Sequence, residues 1–177
     1  VIKLLDILKE IGDASMAVDY IKIGESKQPY QTIIQYEFNI GEDFYEVLMY
    51  VSPMDGSLVK DNTGNTGMQI MFGLKTEQYT GGDTRRTNKG DQYKIMATVT
   101  KILKDYINQH PELVEISYEP VKKDANDQGR EKLYQAYTQK NLPNSWQYVK
   151  DSYGWIHLRS PEYTSPPKSA FKRFFKK

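Results

Sequence analysis

The chain contains no cysteine. Disulfides, thiolate zinc sites, iron–sulfur clusters and cysteine nucleophiles are therefore excluded, and so is a small secreted scaffold held by disulfides. An extracellular or virion location without disulfides stays open. Histidine is nearly as scarce. His110 and His157 stand far apart, no HxxxH or HExxH spacing occurs, and no Ser/His/Asp arrangement can be read from them, so both are expected in structural roles. No apolar run approaches the ~18–20 residues of a membrane span. The opening Val1-Ile2-Lys3-Leu4-Leu5-Asp6 carries charges inside its apolar stretch and no small-residue cleavage site, so it is not expected to be a secretion signal. An initiator Met is missing, from which processing or trimming is expected. An excess of either charge sign is lacking too. The net charge is +1, which predicts no strong attraction of the whole molecule to nucleic acid or membrane. Acidic residues are scattered: Asp124, Asp127 and Glu131 with Asn126 fit no EF-hand spacing, and Gly129 is misplaced for one. No metal site and no internal repeat is read.

What is present fits one globular body. At 177 residues the chain has the length of one domain. A chain of this size buries roughly 70% of its unfolded surface, which makes stabilisation by metal or disulfide unnecessary. Tyr outnumbers Phe by 14 to 6, which favours sheets with half-wet faces, because Tyr buries a ring and keeps its hydroxyl in water.

Apolar periodicity sets the expected elements. Leu4, Ile7, Leu8 and Ile11 recur at helical spacing and predict a helix over 2–11, stopped by Gly12, with residues 13–17 as a linker. A short strand is expected over 18–23. In 31–40, Ile34, Tyr36, Phe38 and Ile40 alternate with Gln35, Glu37 and Asn39, the period of a half-buried strand. Gly41-Glu42-Asp43 turns the chain into a more central strand over 44–51, apolar on both faces. Residues 53–67 read as a long exposed loop, 68–75 as a fourth strand, and 76–88 as a second polar loop. Ile95, Met96, Val99, Ile102, Leu103, Tyr106 and Ile107 mark the longest helix, within 89–109 and ended by His110-Pro111. Then come a strand over 113–118, a polar loop over 124–129, a helix over 129–140 broken by Leu142-Pro143-Asn144, and a hairpin of 146–149 and 155–158. The fold class expected is α+β: a mostly antiparallel sheet with two main helices packed on it. Residues 1–160 form the single domain in this reading, and 161–177 form an extended arm marked by Pro161, Pro166 and Pro167.

Three places could carry chemistry. Arg85, Arg86, Lys89 and Gly90 precede the long helix, where guanidinium groups and free backbone N–H groups suit a phosphate or carboxylate. The same segment reads, by preference, as a solvated loop in which Thr87 or Asn88 caps the helix. Tyr134 lies beside the apolar stripe of Leu133 and Tyr137, a position usual for a residue packed at the edge of the core. The tail is the most distinctive segment. Phe171, Phe174 and Phe175 fall at i, i+3 and i+4 with Lys172 and Arg173 between them, which suits docking to a partner protein, an anionic surface or nucleic acid, or packing on the chain's own domain.

The order of elements in the second half resembles that of GNAT-type N-acetyltransferases. The residues that carry the likeness are strand Met68–Leu74, the segment Arg85-Arg86-Thr87-Asn88-Lys89-Gly90 with the helix after it, strand Val114–Tyr118, and Arg130-Glu131-Lys132-Leu133-Tyr134. The resemblance implies acetyl-CoA as cofactor, Arg86, Lys89 and Gly90 near its pyrophosphate, and Tyr134 as the general acid. The chain departs from the family's loop pattern at Thr87 and Gln92. The style of Leu4-Leu5-Asp6-Ile7-Leu8-Lys9-Glu10-Ile11, Thr87-Asn88-Lys89-Gly90-Asp91 and Ile116-Ser117-Tyr118 is also similar to small tailed-bacteriophage proteins, and implies a viral source. The function expected from the sequence is therefore a non-enzymatic phage protein, virion-associated or assembly-related. It would work without a cofactor through protein contacts of its loops and C-terminal arm, in the virion or host cytoplasm. The alternative is an acyl-CoA-dependent N-acetyltransferase.

Overall fold

The alternation in residues 32–40 becomes the second strand of an eight-stranded sheet, with Ile34, Phe38 and Ile40 buried on one face. The computed structural model describes residues 14–76, 79–83, 91–120 and 129–165. The helix expected over 2–11, most of the polar loop of 124–129, and the arm from 166 onward lie outside these residues. The strands are β1 (Tyr20–Lys27), β2 (Thr32–Ile40), β3 (Asp43–Pro53), β4 (Thr66–Thr76), β5 (Tyr79–Asp83), β6 (Leu113–Tyr118), β7 (Gln147–Lys150) and β8 (Ile156–Arg159). The helices are α1 (Gln92–Gln109) and α2 (Gly129–Asn141), with short 3₁₀ turns at Ala14–Met16 and Val59–Asp61. The fold is mixed α+β.

The sheet runs β1-β2-β3-β4-β6-β8-β7, with β5 paired to β4 beside this path. The first four strands form an antiparallel meander. Gly41, at φ 62°, is the first residue of the two-residue turn that pairs Ile40 with Asp43, the position that requires glycine in a type II′ hairpin. Among the described residues, the single parallel pairing joins β4 to β6, and α1 lies in the crossover between them. One row on the helix-bearing face passes from Val51 through Met68, Ile116 and Leu158 to Tyr148, crossing five strands. Val99, Ile102, Leu103 and Tyr106 of α1 bury against this face, while Met96 and Ala97 form a second cluster with Tyr137 of α2, beside which Leu133 and Tyr134 pack. Each fully buried aliphatic side chain in this core contributes roughly 1.5–3 kcal/mol.

Several expectations are corrected. β1 starts later and ends later than 18–23. Most of its side chains are exposed, so its extent is set by backbone pairing to β2 and not by an apolar pattern. Residues 14–16 of the expected linker form a 3₁₀ turn. The second polar loop contains a strand, β5, whose sequence Tyr-Thr-Gly-Gly-Asp has turn-forming composition. The first loop is shorter than 53–67, since β3 runs through Pro53 and β4 begins at Thr66. It is also tied down, because Val59 N donates to Pro29 O at 2.8 Å and Met54 N to Asn65 O at 2.9 Å. Among the described residues, no helix is long and apolar enough to cross a membrane.

Candidate functional site

β4 pairs with β3 along its length on one edge, but its other edge is shared. β6 occupies it from Thr66 to Gln69, and β5 resumes pairing at Leu74. Between them, Ile70–Gly73 have no ladder partner on that edge among the described residues. The sheet is thus split where β4 and β6 part. At the last parallel pair, the Ser117 hydroxyl donates to the Met68 carbonyl at 3.2 Å.

Tyr134 stands at this split. Its ring centroid lies 5.3 Å from that of Phe72 on β4 and 5.8 Å from that of Tyr118 on β6, the second contact edge-on. α2 places it there because Leu133 and Tyr137 turn the helix towards α1, where Tyr137, fully buried, donates its hydroxyl to the Tyr93 carbonyl at 3.1 Å. The packing role read from the sequence is therefore observed, and on the helix side Tyr134 fills the wedge between the two strands. Thr138, one turn on, returns its hydroxyl to the Tyr134 carbonyl at 2.8 Å.

The surroundings of Tyr134 are phenolic. Tyr118 is buried, and among the described residues its hydroxyl has no hydrogen-bond partner of good geometry. Burial, reinforced by Tyr148, raises its pKa. Tyr148 is pushed up to about 12 by burial and by the neighbouring Glu131. Glu131 accepts from Lys150 Nζ at 2.7 and 2.8 Å, which fastens α2 to β7. Beyond Tyr148 a cleft of about 240 Å³ lies between the end of α2 and the last hairpin, lined by Thr138, Gln139, Leu142, Trp146, Tyr148 and Leu158.

Of the other residues singled out in the sequence, Arg85, Arg86, Lys89 and Gly90 lie outside the described residues, as do Phe171, Lys172, Arg173, Phe174 and Phe175. Asp91 stands at the N-cap of α1; among the described residues its side chain makes no cap bond, and its carbonyl accepts from Ile95 N at 2.9 Å. His110 is stacked on Tyr106 at 4.0 Å, with Nδ1 2.9 Å from Glu112 Oε1. Among the described residues, no group of three or more His, Asp and Glu could hold a metal ion.

The face of the sheet away from the helices holds a cluster that sequence reading missed. Glu115 and Arg159 are cross-strand partners, with Nε donating to Oε2 at 2.7 Å, and His157 sits one register step away opposite Ser117. Arg159 also covers the ring of Tyr163 at 4.3 Å. The signal was only the polar half of two short alternations, Glu115/Ser117 and His157/Arg159, and nothing local reveals that β6 and β8 pair.

No protein-family model matches the chain, and no curated protein matches it. Among solved structures, the chain is similar to AAC(6')-Ib in complex with paromomycin and acetyl-CoA, a GNAT acetyltransferase. The identity is 16%, the match covers 81% of this chain and 70% of that one, and the TM-score is 0.35. Two expectations are corrected by this finding. The first is a non-enzymatic, virion-associated or assembly-related phage protein, and the second is the absence of a cofactor. The similar structure is that of an acetyltransferase with acetyl-CoA, and neither the fold nor the comparisons point to a phage.

Proposed function

We propose that the chain is an acyl-CoA-dependent N-acetyltransferase of GNAT type, with its reaction centre where β4 and β6 part. The observation that carries this reading is the station of Tyr134 between Phe72 and Tyr118, beside the stretch Ile70–Gly73 that lacks a ladder partner. The parallel unit β4–α1–β6, set in an otherwise antiparallel sheet, supports it as well, since it follows the order of elements read from the sequence.

Acetyl-CoA, when bound, supplies an acyl group activated as a thioester. Arg86 and Lys89, which lie outside the described residues, would contribute positive charge to hold the pyrophosphate, as the resemblance implies. Gly90, two residues ahead of α1 in sequence, would by the same resemblance leave room for backbone N–H groups to hold it. Tyr134 would hold a proton at Oη for the thioester sulfur, the general-acid role of a positioned side chain. A phenol suits this role because its O–H can donate a hydrogen bond to a sulfur on which negative charge develops.

Titration with acetyl-CoA tests the proposal. Thermal stability should rise with ligand concentration, reaching about 2.7 kcal/mol at 100 times the dissociation constant. Acyl transfer to a panel of primary amines should accompany it. Unchanged stability at millimolar acetyl-CoA together with no transfer would overturn the reading.

A further inference from the structure

His157 lies between two carboxylates. Its Nδ1 is 3.5 Å from Glu115 Oε1 on β6, and its Nε2 is 3.4 Å from Asp151 Oδ2 in the β7–β8 turn. The second carboxylate is held in place, because Asp151 Oδ1 accepts from Tyr153 N and Trp155 N at 2.9 Å each and so shapes the turn. Glu115 is held likewise by Arg159 at 2.7 Å. Each ring nitrogen thus faces a negative oxygen held by another bond: Nε2 is within hydrogen-bond reach of Asp151, whereas Nδ1 is buried, makes no hydrogen bond among the described residues and meets Glu115 only at ion-pair distance. A neutral imidazole has one N–H and would aim a lone pair at one of the two carboxylates, whereas an imidazolium has a proton for each. The charge count agrees: Glu115 and Asp151 are balanced by Arg159 and a protonated His157, and loss of that proton leaves a net negative charge in a half-buried place.

We propose that His157 is a proton-operated staple that fastens the closing β7–β8 hairpin to β6, and that loosens it when the proton leaves. The groups that face the ring are Glu115 and Ser117 from β6, Val149 from β7, Asp151 from the turn and Arg159 from its own strand. Of these, only Arg159 opposes the proton. The neighbouring Glu115 raises the His157 pKa above its ordinary value, against the opposing effect of burial, and Asp151 adds to the rise. For a group raised on folding, the stabilisation is complete below the unfolded value of about 6.5 and disappears as pH rises through the folded value. The hairpin is therefore tightest in mild acid and loosest in mild base. Lys150 on β7 also binds Glu131 of α2, so a change in the hairpin reaches the helix that carries Tyr134.

NMR titration of the intact protein tests this without any variant, with His110→Gln used only to assign the two imidazole signals. The His157 midpoint should lie above 6.5, and Asp151→Asn, which keeps the oxygen that accepts from the turn, should lower it. Hydrogen exchange at Ile156 and Leu158, corrected for intrinsic rate, should show wild type protected over His157→Gln at pH 6. That advantage should shrink by pH 9, about tenfold for each unit by which the midpoint exceeds 6.5. A midpoint at or below 6.5, or a protection ratio equal at pH 6 and pH 9, would overturn the proposal.

Discussion

The Tyr137 hydroxyl on α2 donates to the Tyr93 carbonyl in the first turn of α1, at 3.1 Å. This bond crosses from one helix to the other inside a cluster of Met96, Ala97 and Tyr137, and it sets the angle at which α2 presents Tyr134, one turn earlier, to the split in the sheet. Replacing Tyr137 with Phe keeps the ring and removes the bond. The expected cost is about 1 kcal/mol, the usual net contribution of one hydrogen bond, with a little more if the carbonyl is left dry. Urea unfolding of the variant measures it. A variant as stable as wild type would mean that the bond does not hold the helices together.

Tyr134 should separate packing from chemistry. Tyr134→Phe preserves the contacts with Phe72 and Tyr118, so its stability should stay within about 1 kcal/mol of wild type while acyl transfer falls by about 10²–10⁴-fold. Tyr134→Ala removes the ring and should cost about 2–3 kcal/mol, less than a fully buried aromatic because Tyr134 is half-buried. Steady-state kinetics beside urea midpoints distinguishes the two. Equal turnover in wild type and the Phe variant would remove Tyr134 from the reaction.

Glu115 should govern the acid limb of stability. Burial alone would raise its pKa, but His157 and Arg159 outweigh burial and hold it below the ordinary value. A carboxylate depressed on folding stabilises above its unfolded pKa, and that contribution is lost as pH falls through the folded value. Wild type should therefore lose its advantage over Glu115→Gln below about pH 4.5. Urea midpoints of the two proteins from pH 3 to pH 6 should converge at the acid end, and parallel curves would contradict the assignment.

A side chain at Gly67 should be felt for a reason outside its own strand. A Cβ there would stand 2.7 Å from Met54 Sδ, which lies over the glycine from the loop between β3 and β4. Because the Met54 thioether can swing aside, Gly67→Ala should destabilise by less than about 1 kcal/mol. Met54→Ala in the same chain should recover much of that loss, because residues in contact couple. Thermal unfolding of both single variants and the double variant closes the cycle, and strict additivity would show that the two residues do not meet.

Local pattern and remote pairing divide what could be read in advance. The alternation of β2, the apolar stripe of α1 and the breaks at His110-Pro111 and Leu142-Pro143 are each written in a few adjacent residues, and these elements appear where expected. β5 and the later half of β1 were missed because their pairing is made by backbone groups that every residue carries, so composition reports nothing about them. Tyr134 could be singled out by its place beside Leu133 and Tyr137, but not its neighbours Phe72 and Tyr118, which lie 62 and 16 residues away in sequence.

The sequence by itself determined the class of the molecule and its excluded chemistries. Residue identity settles whether thiols exist, and period settles whether a segment buries a stripe or a face. Only the tertiary structure decided that β4 meets β6 in parallel and then parts from it, and that Glu115, Asp151, His157 and Arg159 gather on one face. Strand register and crossover are set by the joint burial of distant side chains, and no single segment contains that information.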